Sequence, residues 1–162
     1  MTFFRIKKIK GNEYVYAVEN EWKKKSSRQK VKGYIGRAHR YTMQNDIGFM
    51  DHFKIQDASS YVESNDKNKI IRDLIEWEFF RFGIDRNFLV EDETVKIQKN
   101  KKDAALLIND GYMCTLTLKN LLEFKSENEE TDGYRLARAF VEAGIRVPQE
   151  IFVGLFGKIA KN

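Results

Sequence analysis

Twelve lysines and arginines fall within the first forty of the chain's 162 residues: Arg5, Lys7, Lys8, Lys10, Lys23, Lys24, Lys25, Arg28, Lys30, Lys32, Arg37 and Arg40. Only Glu13, Glu19 and Glu21 oppose them, so this quarter of the chain carries a net +9 while the whole sums to +5. Ammonium and guanidinium groups neutralise phosphates and release condensed counterions, giving binding that falls steeply with salt. Excess positive charge gathered into one segment is the electrostatic footprint of a polyanion site, beyond what solubility requires. Arginine also reads guanine edges, and Arg28 is the candidate for such a contact. Tyr34, Tyr16 and Tyr41 offer ring faces for stacking on unpaired bases, although tyrosine in a strand serves more often as a packing residue.

Other chemistries find less support. Asp51, His52 and Asp57 are near in sequence, as are Asp73, Glu76 and Glu78, but a solvated helix flank accounts for the second group, of which residues 73 and 76 share a face. Two histidines, His39 and His52, leave general acid–base or metal catalysis little to work with. The lone cysteine, Cys114, has no Cys or His at metal-site spacing and reads as a small buried apolar group. Gly33-Tyr34-Ile35-Gly36 matches the GXXG loop of KH domains only superficially, since that loop joins helices and usually has a basic residue between its glycines. No enzyme, cofactor or metal is expected, and a small metal-dependent nuclease is the alternative to a binding role.

The elements that must position these groups begin with a β-meander. Phe4 and Ile6 alternate with Arg5 and Lys7, Gly11-Asn12 supplies a tight turn, and residues 14–19 form an aromatic, β-branched strand running on towards Trp22. Residues 23–27 read as a polar loop, and a third strand over residues 28–35 stops at Gly36. Alternation places Arg28, Lys30, Lys32 and Tyr34 on one face and Gln29, Val31, Gly33 and Ile35 on the other. The expected result is a two-sided sheet, with a basic platform opposite a packing face.

Residues 38–65 show little pattern. Beyond them, Ser64 or Asp66 caps a helix in which Ile71, Leu74, Ile75, Phe79 and Phe82 recur at helical spacing before Gly83 ends it. Residues 88–90 and 94–98 suggest a hairpin, and residues 104–108 fit either strand or helix. Thr117 is expected to cap a short helix bearing Leu118, Leu121 and Leu122. An acidic loop over 126–132 follows, then a helix marked by Leu136, Ala137, Phe140 and Val141, and a last one after Pro148 with a stripe of Ile151, Phe152, Leu155, Phe156 and Ile159.

Residues 4–37 resemble the N-terminal segment of DDE-type insertion-sequence transposases. The resemblance is carried by the basic first strand over residues 4–10, by Tyr14-Val-Tyr-Ala-Val-Glu19, and by Arg28-Gln-Lys-Val-Lys-Gly-Tyr-Ile-Gly36, with Ile35 where that segment favours Leu. It implies a duplex-contacting role for Arg5, Lys7, Arg28, Lys30, Lys32 and Tyr34. No segment of catalytic-domain size follows, so strand transfer is not implied.

The expected architecture is therefore α+β. A three-stranded antiparallel β-meander over residues 1–40 binds nucleic acid, residues 41–65 form a linker or irregular region, and residues 66–162 make a helix-rich module. DNA is the favoured ligand, and structured RNA or a ribosome is the alternative. The C-terminal helices offer a surface to a second copy or a protein partner. Nothing reads as a signal peptide or membrane span, which places the protein in the cytoplasm.

Overall fold

The computed structural model describes residues 2–161. Three antiparallel strands open the chain: β1 (Thr2–Ile9), β2 (Asn12–Lys23) and β3 (Ser26–Arg40). The turn between β1 and β2 is centred on Lys10 and Gly11, at φ 50° and 81°, rather than on Gly11-Asn12. Left-handed conformation at both central residues matches the twist of a two-residue hairpin. The expected loop over 23–27 is likewise a two-residue turn, Lys24-Lys25, because Lys23 pairs with Ser26.

Gly36 does not end the third strand. A Cβ there would sit 2.7 Å from the backbone of Asp103 and Ala104, so the missing side chain lets β3 approach its next neighbour closely. That neighbour is β6 (Lys102–Ile108), which pairs in parallel with residues 37–40. Beyond β6 lie β5 (Val95–Lys99) and β4 (Leu89–Glu91), and the short β7 (Gly111–Met113) pairs with the other half of the same β6 edge. The sheet begun by the basic strands thus continues into the rest of the molecule.

The crossover from β3 to β6 contains helices α1 (Phe49–Phe53), α2 (Ala58–Ser64) and α3 (Lys67–Phe82). The first two occupy the stretch expected to be irregular. Asp57 caps α2, accepting from Ser60 N at 3.2 Å. Asp66 caps α3 by accepting from Lys69 N at 2.8 Å, and left-handed Gly83 closes it with bonds back to Phe79 and Phe80. Ile70, Ile71, Leu74, Ile75, Trp77, Phe79 and Phe82 of α3 are all buried. At roughly 1.5–3 kcal/mol for each fully buried large side chain, this helix is the centre of the core.

The closing helices are α4 (Thr115–Leu122), α5 (Glu129–Glu142) and α6 (Gln149–Ala160). Cys114 is the N-cap of α4, not Thr117. Thr117 lies three residues on, and its hydroxyl accepts from Cys114 N at 3.1 Å and donates to Tyr112 O at 2.7 Å. Cys114 is fully buried, as expected. In α5 Leu136 and Phe140 face the core but Val141 is 61% exposed. The α6 stripe is taken up internally, with Ile151, Leu155 and Ile159 buried.

The acidic stretch before α5 has a definite structure. Asp132, buried, accepts from Ser126 Oγ at 2.6 Å, from the backbone N–H groups of Glu127 and Asn128, and from Arg135 at 2.7 Å. These donors, the Ser126 hydroxyl foremost, lower its pKa from 3.8 to about 2. A depressed carboxylate contributes stability above its unfolded pKa and loses it as pH falls through the folded one. Melting temperatures of wild type and Asp132→Asn should therefore differ by a constant amount above about pH 4 and converge towards pH 2.

Candidate nucleic-acid interface

Cross-strand partners share a face, so the ladder shows where each charge points. Arg5 pairs with Tyr16 and Lys7 with Tyr14, while Phe4 and Ile6 pair with Ala17 and Val15. The second set packs inward with Val15, Ala105 and Cys114. The first set is the outer face, so the expected division of β1 is observed.

On β3 the division is different. Val15 pairs with Gly36 but Tyr16 with Tyr34, and Ala17 pairs with Gly33 but Val18 with Val31. Ile35 and Lys32 are thus extra residues, and each bulge reverses the alternation beyond it. Tyr34 joins Arg5 and Lys7 on the outer face. Arg28 and Lys30, opposite Glu21 and Glu19, lie on the face of Phe4 and Ile6. The expected single row of Arg28, Lys30, Lys32 and Tyr34 does not exist.

The outer face brings together three tyrosines and three cations. The Tyr34 ring lies 5.4 Å from that of Tyr16 and 6.3 Å from that of Tyr14, and Lys7 Nζ sits 4.8 Å above Tyr16. Arg37, paired with Tyr14, donates to Asn12 Oδ1 at 2.8 Å, and Arg5 donates to Gln29 Oε1 at 3.3 Å. These neutral acceptors orient the guanidinium groups and leave their charge uncompensated. Partial burial raises the Tyr34 pKa. Tyr41 is elsewhere, packed edge-on against Phe88 in the main core.

The second part of the interface is a two-stranded ribbon. β1 starts opposite Glu19, so β2 and β3 continue beyond it as an unsupported hairpin. Every residue from 20 to 32 is exposed, and the segment holds Lys23, Lys24, Lys25, Arg28, Lys30 and Lys32 against Glu21. Trp22, on the outer face at the tip, is 81% exposed. Twelve residues of β2 reach up to about 36 Å at about 3.3 Å per step, comparable to one turn of duplex DNA.

Two of the thirteen candidate residues are already engaged. Lys32 Nζ lies 3.0 Å from Glu19, and Arg40 makes a two-pronged contact with Glu13 at 2.8 and 2.9 Å. The bound cations hold both glutamates below the usual carboxylate range. Lys8 is exposed beside Glu13 on the inner face, and Lys10 occupies the turn at the end remote from the ribbon. The remaining set divides between the outer platform (Arg5, Lys7, Tyr34, Arg37) and the ribbon (Lys23, Lys24, Lys25, Arg28, Lys30).

Comparison with known proteins yields no further assignment. No protein-family model, curated protein or solved structure matches the chain. The interface therefore stands on its own geometry.

Two functional candidates, Tyr14 and Trp22, were not singled out by the sequence. Tyr14 becomes one through its pairing with Arg37, and Trp22 through its place at an exposed ribbon tip amid lysines. Apart from exposed Asp51, the acidic groups considered for metal chemistry are held by structural partners. Asp57 caps α2, Asp73 accepts from Tyr61 and pairs with Lys69, Glu76 pairs with Arg86, and Glu78 is buried with Arg81. Among the described residues, no three His, Cys, Asp or Glu side chains gather at metal-binding distance, and no helix is long and apolar enough to cross a membrane.

Proposed function

We propose that this chain is a non-catalytic nucleic-acid-binding protein, with DNA as its ligand and the outer face of β1–β3 and its ribbon as the contact surface. The observation that carries the reading is the ribbon itself, thirteen consecutive exposed residues with six cations and one acid. Two-stranded ribbons enter DNA grooves, and exposed lysines and arginines at their tips meet phosphates on either side.

RNA is the second reading, favoured by the tyrosine cluster, because aromatic side chains on an open sheet face are a recurring way of holding RNA bases. Fluorescence anisotropy of the whole protein with single-stranded DNA, duplex DNA and RNA of one sequence, each at two salt concentrations, tests both. DNA should bind more tightly than RNA, with affinity falling steeply as salt rises. Tighter RNA binding would shift the assignment to RNA, and no binding to any of the three would overturn it.

A further inference from the structure

Trp22 has no packing role that accounts for it. A tryptophan side chain is among the largest apolar surfaces a protein has, and this one is 81% exposed where a lysine or threonine would serve the ribbon equally well. It also has company. Along β2 the outer face carries Trp22, Asn20, the buried Val18, Tyr16 and Tyr14, flanked on β1 by Phe3 and on β3 by Val31 and Tyr34. Phe3, Val31 and Tyr34 are 39%, 48% and 51% exposed. The result is an aromatic and apolar stripe about 20 Å long from Trp22 to Tyr16, six strand positions at about 3.3 Å each, interrupted by the polar pair Asn20 and Gln29. The cations lie at its sides and on the reverse face of the ribbon.

A ligand that covers this stripe needs flat apolar faces alongside a backbone of negative charge. In an intact duplex the base faces are already stacked, and opening a paired step costs more than one aromatic contact returns. Unpaired bases present their faces at no such cost, and stacking on them tolerates any sequence. We infer that Trp22 and Tyr34 stack on unpaired bases, so that the preferred ligand is DNA containing a single-stranded stretch, with Arg5, Lys7, Arg37 and the ribbon lysines holding the flanking phosphates. This inference rests on the nucleic-acid reading above and narrows it.

The test compares a single-stranded oligonucleotide, the matched duplex, and the same duplex with a short internal gap. Wild type should bind the first and third more tightly than the second, with quenching of tryptophan emission. The quenching belongs to Trp22, because Trp77 is buried, and Trp22→Phe should abolish it while retaining most of the affinity. Trp22→Ala should weaken binding to single-stranded and gapped DNA by about 5- to 150-fold, the range expected for one stacked base, and leave the duplex unchanged. Tyr34→Ala should do the same to a smaller extent, and circular dichroism should show each variant folded. Tighter binding to the intact duplex, or equal losses on duplex and single strand in Trp22→Ala, would overturn the stacking proposal and leave nucleic-acid binding standing. Absence of binding to every DNA would overturn both.

Discussion

Neutralising the ribbon tip should reduce DNA affinity on the order of 10³-fold at about 0.1 M salt. The variant combines Lys23→Gln, Lys24→Asn, Lys25→Gln and Arg28→Gln. Asparagine is chosen at position 24 because φ there is 44°, a left-handed conformation that asparagine tolerates well. Each phosphate contact contributes about 0.9 to the slope of log K against log salt on duplex and about 0.7 on a single strand. Four lost contacts therefore flatten the slope by about 3.6 or about 2.8, and the value obtained reports which form the ribbon holds. All four side chains are exposed and, among the described residues, none is in an ion pair, so folding should not suffer. Lys32→Gln and Arg40→Gln serve as controls, since Glu19 and Glu13 already engage those cations. Affinity in the fourfold variant within about threefold of wild type would remove the ribbon from the interface.

The control residues also show where sequence reasoning went astray. The order Arg-Gln-Lys-Val-Lys-Gly-Tyr-Ile-Gly over residues 28–36 alternates perfectly, and a strand without bulges would place its cations in one row. Bulges have no compositional signature here. Lys32 and Ile35 look like ordinary strand residues, and only the pairing with β2 shows that they are extra. Gly36 carried a real signal that was assigned to the wrong cause, a strand end instead of a close approach to β6. In β1 no bulge intervenes, and Arg5 and Lys7 lie opposite to Phe4 and Ile6, as alternation requires.

The helical part was read more accurately because its signals are local. Asp66 and Gly83 bound α3 at the positions their capping chemistry indicates, and the hairpin expected across residues 91–93 forms one residue further on, with Glu91 paired to Val95. Helices of five and seven residues are too short to show periodicity, so α1 and α2 were missed, although Asp57 with Ser60 three positions on was a visible cap. The parallel pairing of β3 with β6 joins residues more than sixty positions apart and leaves no local trace.

The largest effect on stability should come from an ion pair whose carboxylate, Glu78, the sequence assigns to a solvated flank. Glu78 is fully buried, and Arg81 beside it is 5% exposed. Glu78 accepts from Arg81 at 3.1 Å and from Arg146 N at 3.0 Å, while the guanidinium lies 4.4 Å from the Trp77 ring centre. Removing one partner of a buried ion pair strands the other charge in a medium that solvates it poorly, at about 3–5 kcal/mol. Arg81→Met should cost that much in chemical denaturation. Adding Glu78→Gln to it should restore part of the loss, because the amide oxygen can still accept from Arg146 N and no charge remains buried. Burial already raises the Glu78 pKa, so the Arg81→Met variant should have a still more easily protonated carboxyl. The sign follows: a raised carboxyl pKa means that the fold takes up a proton more readily than the unfolded chain, so stability declines as pH rises through it. The deficit of Arg81→Met relative to wild type should therefore be smaller at pH 5 than at pH 8. A deficit that does not vary with pH, or a double variant no more stable than the single, would show that lost packing against Trp77 and not an unpaired carboxylate sets the cost.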